Sequence, residues 1–322
     1  MHEHSGIGTY IRALRRELGH REGTETDGHD ILLSAAGVAE SSPPPYSLRE
    51  HLWFLRLARA NPGALFHAPH INAPLYWPGP LVVTVHDLAH IRHPEAARRR
   101  GAATYARLMV TCLSRRADAI ICVSEFTRSD LVSFAPSANH VCTVVPNGID
   151  DDLTRPCEAA TAKVLARYGL RPGYLLYLGN VRKHKNVDVL LAARLRLSKP
   201  RPTLVIAGAD QMPARWEGRS TPGVRLLGPV PHEDKAALYA GASVFCFPSL
   251  FEGFGLPPLE AMRCGTPVVC SGATALPEIL GEAAESVDVH NPSAVARAID
   301  ELLASPSSRR QRSRTRKATG IA

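Results

Sequence analysis

The sequence predicts an α/β protein of two doubly wound, Rossmann-like domains, each built on a parallel sheet. Three observations carry this. Short runs rich in β-branched and aromatic residues alternate along the chain with segments of helical period, the pattern of βαβ units. The runs are apolar at consecutive positions, as strands buried on both faces require. Two series of such runs are separated by NGIDDDLTRPCEAATAKV at 147–164, where Asn-Gly, three Asp and a Pro are turn and linker signals.

The first series comprises DILLS at 30–34, LVVTV at 81–85, AIICV at 119–123 and VCTVV at 141–145. The second comprises YLLYLG at 174–179, TLVIAG at 203–208, VRLLG at 224–228, SVFCFP at 243–248 and TPVVCS at 266–271. Helical segments are expected at 97–116, 125–134, 187–198, 232–241 and 292–304. A length of 322 residues agrees with two domains, at roughly 100–200 residues each. The expected first domain is 1–155 and the second 165–304, with a basic, disordered tail at 305–322. Parallel sheets bind ligands at the carboxyl ends of their strands, so a cleft between the two domains is the expected site.

The net charge of +8 is concentrated. RRQRSRTRK at 309–317 carries six Arg or Lys and no acid, which leaves +2 for the rest of the chain. A nucleic-acid groove needs a basic body, so no nucleic-acid partner is expected. The tail is compatible with a weak peripheral contact to an anionic membrane surface. No run of ~18 uninterrupted apolar residues is present to span a bilayer, and MHEHSGIG has no signal-peptide core. Seven cysteines, an odd number without a CxxC pair and partly inside apolar runs, read as reduced thiols of a cytoplasmic protein.

The most informative stretch is FPSLFEGFGLPPLEAMRCGTPVVCS at 247–271. A strand ending at Pro248 is followed by a loop with two glycines and a helix starting near Pro257, since proline is tolerated in a first helical turn. Gly265 would stop that helix. The amides of Gly253, Phe254, Gly255 and Leu256 would then sit at a helix N-terminus, where free N–H groups and the helix dipole bind phosphate. Glu252 precedes the turn and Glu260 lies in the helix, and a carboxylate can accept two hydrogen bonds from a vicinal diol. GNVRKHKN at 179–186 follows a strand; Lys185, with Arg182, Lys183 or His184 beside it, suits a diphosphate clamp. His86 stands at the carboxyl end of LVVTV, a functional position in a parallel sheet. The acid Asp87 beside it is as readily a turn cap. His67, His70, His90 and His93 carry no comparable argument. Gly6-Ile7-Gly8 also raises the reading of a dinucleotide-binding oxidoreductase. That reading requires a preceding strand and a third glycine; residue 11 is Ile and only five residues precede Gly6.

The segment E-GFGLPPL-E resembles the E-x7-E signature of retaining glycosyltransferases of family 4, of the GT-B fold. The likeness extends over SGIGTY, TVHDLAHIRHPE, VSEFTRSDL, VPNGID, YLGNVRKHKN and GPVPHEDKAALYAGA, in the family's order and nearest its bacterial mannosyltransferase-like branch. The resemblance implies a nucleoside diphosphate sugar donor, a glycan or lipid-linked hydroxyl acceptor and retention of anomeric configuration, with no metal or other cofactor. It implies that Glu260 holds the ribose hydroxyls, Glu252 the donor sugar, and the amides of Gly253 to Leu256 the diphosphate and sugar. Lys185 and Arg182 would neutralise the leaving group, His86 would lie near the sugar, Gly8 near the donor phosphate, and the backbone around Val230 over the base. Asp150, Asp151 and Asp152 come nearest to a metal-binding motif and read as solvated turn residues. The resemblance also implies a strand before the first glycines and a C-terminal helix crossing back to the first domain, and this sequence shows neither. The alternative is therefore a weakened remnant that only binds nucleotide sugar. A sugar-nucleotide epimerase is a more distant alternative and would need carboxylates for elimination chemistry.

Overall fold

The computed structural model describes residues 6–19, 32–33, 48–94, 101–150, 152–209, 216 and 222–304. The tail 305–322 and residues 40–47 of ESSPPPYSLRE lie outside the described residues. The chain divides into two compact units, Met1–Asn147 and Gly148–Ala322.

The first unit runs α1 (Gly6–Gly19), β1 (Leu32–Leu33), α2 (Leu48–Ala60), β2 (Phe66–Ala68), β3 (Leu81–Val85), α3 (Ala89–Arg92), α4 (Ala102–Arg116), β4 (Ala119–Cys122), α5 (Glu125–Phe134) and β5 (Cys142–Val144). Among the described residues its five strands are parallel and lie in chain order, β1-β2-β3-β4-β5. The register sets Phe66 beside Leu81 and Val83 beside Ile120. Phe54 of α2, Phe66, Trp77, Leu81 and Met109 are almost wholly buried and form the core. The Trp77 indole N–H donates to Ala64 O at 2.7 Å, so that large ring is buried with its polar atom satisfied. Helix α5 starts where Ser124 caps it: the Ser124 hydroxyl accepts from Thr127 N at 3.0 Å.

The second unit runs α6 (Glu158–Arg167), β6 (Tyr174–Leu178), α7 (Asp188–Arg194), β7 (Leu204–Ala207), β8 (Val224–Gly228), α8 (His232–Gly241), β9 (Ala242–Phe247), α9 (Leu256–Arg263), β10 (Val268–Ser271), α10 (Leu276–Leu280), β11 (Glu285–Val287) and α11 (Pro292–Ala304). Among the described residues its six strands are parallel, in the order β11-β10-β9-β6-β7-β8. From β6 the chain moves outward through β7 and β8, then returns to the other side of β6 and moves outward through β9, β10 and β11. The order therefore reverses between β6 and β9. At such a switch point the loops leaving two neighbouring strands diverge and open a crevice at their carboxyl ends.

Several expectations are corrected. The segment 147–164 is not a bare linker: Glu158 opens α6, which packs on α8 in the second unit. The alanine-rich run EAATAKVLAR is a helix former, and the turn signals end before it. Gly6 and Gly8 lie in the first turns of α1. The run VRLLG is a strand, but an edge one with Arg225 and Leu226 exposed, so it is not buried on both faces. Strands β2 and β11 were not anticipated; each has three residues, and His67 or Glu285 interrupts its apolar pattern. Four cysteines are buried, but Cys157 is exposed. Asp150 is not a solvated turn residue: its carboxylate lies 3.6 Å from His232 Nε2.

Candidate active site

The two loops that leave the switch point in the second unit are 179–186, after β6, and 248–255, after β9. They are joined twice. Leu250 N donates to His184 O at 2.8 Å. The Lys185 ammonium donates to Glu252 Oε1 at 2.5 Å, with 17% and 13% of the two side chains exposed. Lys185 Nζ also lies 5.7 Å from the centroid of the Phe247 ring. A third loop, after β10, holds the backbone of Glu252: Glu252 N donates to Thr274 Oγ1 at 3.2 Å and Ala275 N to Glu252 O at 3.3 Å. The preceding loop is anchored at Asn186, whose side-chain amide donates to Val289 O at 2.9 Å.

Helix α9 begins at Leu256, one residue before the expected start, with Gly255 as its N-cap at φ +104°. Pro257 and Pro258 follow and carry no N–H, so donors at this helix end come from the approach to it. The N–H groups of Phe254, Gly255 and Leu256 have no acceptor among the described residues. The turn thus presents an anion with a short row of backbone donors beside one ammonium. The side chain of Phe254 is buried.

Glu260, on the same helix, is 6% exposed and accepts a hydrogen bond from the Tyr239 hydroxyl at 2.7 Å through Oε2. Burial, followed by the neighbouring Glu260 charge, pushes the Tyr239 hydroxyl well above its ordinary value, so it stays a donor.

The structure thus gathers Lys185, Glu252, Gly253, Phe254, Gly255, Leu256 and Glu260 on adjoining loops and one helix. Arg182 is not drawn in to the same degree. It heads the one-turn 3-10 helix Lys183–Lys185, exposed, and its amide donates to Asn180 Oδ1 at 3.4 Å. Val230, partly buried, follows β8 at the sheet edge and immediately precedes Pro231, the N-cap of α8.

His86 and Gly8 belong to the first unit. His86 follows β3, and its Nε2 lies 2.9 Å from Pro69 O. A carbonyl can only accept, so Nε2 carries the proton. Burial lowers the affinity of this ring for a second proton, partly offset by the Pro69 carbonyl and Asp87. The imidazole is therefore neutral near pH 7, with Nδ1 as an acceptor. The ring of Tyr10 packs edge-on at 4.9 Å and brings α1, the helix of Gly8, to His86. The Tyr10 hydroxyl and His67 Nε2 share Thr84 Oγ1, at 3.0 and 2.8 Å. Tyr10, Tyr239 and Thr274 were missed in the sequence. Tyr239 alone left a signal, as a tyrosine on the buried face of 232–241.

These histidines make the first unit sensitive to acid. His70 is lowered to about 4, by burial first and then by the His86 charge. His67 and His86 shift the same way. The unfolded chain takes up these protons near the ordinary value and the folded one resists, so stability is complete above that value and declines as pH falls towards the folded one. The ceiling for each histidine is about 1.4 kcal/mol per pH unit, and the partial exposure of His70 and His86 keeps the slope below it. Melting followed from about pH 7 to about pH 5 should show a falling midpoint, shallower in His70→Gln. A flat profile would contradict the assignment.

A doubly wound second unit with a cation, two carboxylates and backbone donors at the carboxyl ends of its strands is the arrangement expected of a GT-B glycosyltransferase. Comparison with known proteins agrees. The family model "Glycosyl transferases group 1" matches residues 168–319, and "Glycosyltransferase Family 4" matches residues 4–153. The chain is 34% identical to O-antigen chain mannosyltransferase B of Escherichia coli over 272 residues, covering 79% of this chain and 68% of that protein. The solved structure of WaaG, a glycosyltransferase involved in lipopolysaccharide biosynthesis, matches with TM-score 0.74 at 13% identity, over 98% of this chain and 92% of that one. Anabaena Alr3699/HepE, solved with UDP-glucose, matches with TM-score 0.69 at 20% identity, over 82% and 76% of the two chains. The chain belongs to the GT-B glycosyltransferases that pair a family 4 first domain with a group 1 second domain, and has mannosyltransferase homologues. Among the described residues no helix is long and apolar enough to cross a membrane.

Proposed function

We propose that the chain transfers a hexose, mannose by its nearness to the Escherichia coli mannosyltransferase, from a nucleoside diphosphate sugar to a hydroxyl of a glycan or lipid-linked acceptor, with retention and without a metal. The observation that carries this reading is the Lys185–Glu252 pair beside the open N–H groups of Phe254, Gly255 and Leu256, at the switch point of the second sheet. A diphosphate placed on those donors meets an ammonium and a helix N-terminus, which together can do the electrostatic work of a divalent ion. As the bond from the anomeric carbon to the phosphate breaks, Lys185 neutralises the charge left on the diphosphate, and Arg182 can swing in from solvent to assist. A leaving phosphate oxygen accepts the proton of the acceptor hydroxyl as the new glycosidic bond forms on the same face.

In this reading Glu252 accepts hydrogen bonds from donor sugar hydroxyls and Glu260 from the ribose diol. His86 Nδ1 accepts from a sugar hydroxyl, Gly8 lies by the donor phosphate, and the backbone at Val230 lines the base. The test is calorimetric titration of UDP, GDP and ADP into the full chain without added metal, with Glu260→Ala as control. One nucleotide should bind in the micromolar range, and the control should lose it. A folded chain that binds none of the three would leave the reading without a donor site and favour a remnant.

A further inference from the structure

A hydroxyl buried in an apolar setting costs about 1–3 kcal/mol unless it is satisfied. The Tyr239 hydroxyl is such a group. The side chain has no exposed surface, and its ring packs edge-on against Phe245 at 5.3 Å. Its backbone carbonyl is committed elsewhere, accepting from Thr266 Oγ1 at 2.6 Å. The hydroxyl itself has one partner among the described residues, Glu260 Oε2. A phenylalanine would fill the same space without that requirement, so what the tyrosine adds is the hold on Glu260.

That hold fixes a degree of freedom that otherwise stays loose. The terminal torsion of a glutamate turns a planar group about an sp³–sp² bond, for which the preference is broad. With Oε2 pinned, the plane of the carboxylate is set. Oε1 has no hydrogen bond to any described residue and is not sealed from solvent. A vicinal diol needs a defined carboxylate plane, because its two hydroxyls must reach acceptor positions at the same time. A single hydroxyl can follow a rotating carboxylate; a pair cannot.

We infer that Tyr239 is a positioning residue that orients Glu260 to read a vicinal diol, and so makes the site discriminate ribonucleotides from 2′-deoxyribonucleotides. This rests on the reading of Glu260 as the ribose acceptor. Tyr239 touches no substrate and acts through the carboxylate alone.

The experiment measures calorimetric affinity for the bound nucleoside diphosphate and its 2′-deoxy analogue, in the full chain and three variants, each with a thermal melt. The wild type should favour the ribonucleotide by about ten- to hundredfold, the range of a hydrogen bond to a charged group. Tyr239→Phe should bind the ribonucleotide more weakly while the preference collapses to near unity. In steady state it should raise the donor KM and leave kcat nearly unchanged. Thr266→Val removes a hydrogen bond to the Tyr239 backbone carbonyl and leaves the hydroxyl contact alone, and should lower the melting temperature with the preference intact. Glu260→Ala separates the two levels. If it keeps wild-type affinity, the ribose reading of Glu260 fails and this inference with it. If it loses binding while Tyr239→Phe keeps the preference, the inference alone fails. Equal collapse in Thr266→Val, or no preference in the wild type, overturns it as well.

Discussion

Lys185→Ala should lower kcat/KM by about a hundred- to a thousandfold, the loss typical of removing one electrostatic contact to a developing anion. The physical cause is local to the second unit. Lys185 and Glu252 are both largely withdrawn from water and lie 2.5 Å apart. Removing the ammonium strands the carboxylate, and a diphosphate brought to the neighbouring N–H groups then meets a second unpaired negative charge. Leaving one partner of a buried pair uncompensated destabilises by about 3–5 kcal/mol, although the remaining exposure of this pair places it towards or below the lower end. Glu252→Gln in the same chain should recover most of the lost stability and none of the turnover, because it removes the stranded charge without restoring a cation. Lys185→Arg should recover little activity, since a planar fork does not occupy the place of a compact point charge. Turnover is to be measured with the nucleotide sugar that calorimetry selects, beside thermal melts of all variants. If Lys185→Ala keeps more than about a tenth of wild-type turnover, the charge on the leaving group is handled elsewhere and the clamp is misassigned.

The pair was legible in the sequence only as two separate motifs. GNVRKHKN and FEGFGLPPLE each follow an apolar strand, which places both at carboxyl ends. Their adjacency depends on the strand order, and nothing in a run such as YLLYL or SVFCF says which neighbour it will take. The order β9-β6 makes the two loops meet. Strands β3, β6 and β8 begin where the apolar runs do, because turn residues bound them. The short β2 and β11 were invisible, since three residues with a His or Glu among them give no period. Among the site residues, those with charge or a glycine turn could be named from pattern. Tyr239 showed only as a tyrosine on a buried helix face, without its partner, and Thr274 not at all. Each acts through one hydrogen bond to a residue 21 or 22 positions away, and only the packing of α8 on α9 and the fold of the loop after β10 bring those partners together.

Gly255→Ala should cost roughly 2–5 kcal/mol of stability, from two sources that can be separated. The residue sits at φ +104°, where an L side chain is strained by about 1–2 kcal/mol. A Cβ there would also stand 2.5 Å from Leu276 Cδ2. Leu276 has no exposed surface and opens α10, so its side chain has little room to withdraw, and overpacking of this kind adds about 1–3 kcal/mol. The strain belongs to Gly255 alone, whereas the clash needs both residues. Leu276→Ala by itself leaves a cavity and should cost about 2–5 kcal/mol. In the double variant the new methyl partly fills that cavity and the clash disappears. The two losses should therefore fall short of adding by about 1–3 kcal/mol, read from denaturant melts as a coupling energy. Strict additivity would mean that the backbone term is the whole effect and that α10 does not press on the turn. Function separates the terms again. The clash pushes Gly255 away from Leu276 and moves the N–H groups of Phe254, Gly255 and Leu256 with it. Nucleotide affinity should accordingly fall in Gly255→Ala and recover in part when Leu276 is also cut back. A recovery of stability without any recovery of affinity would show that the left-handed cap itself, and not merely the space around it, sets the direction of those donors.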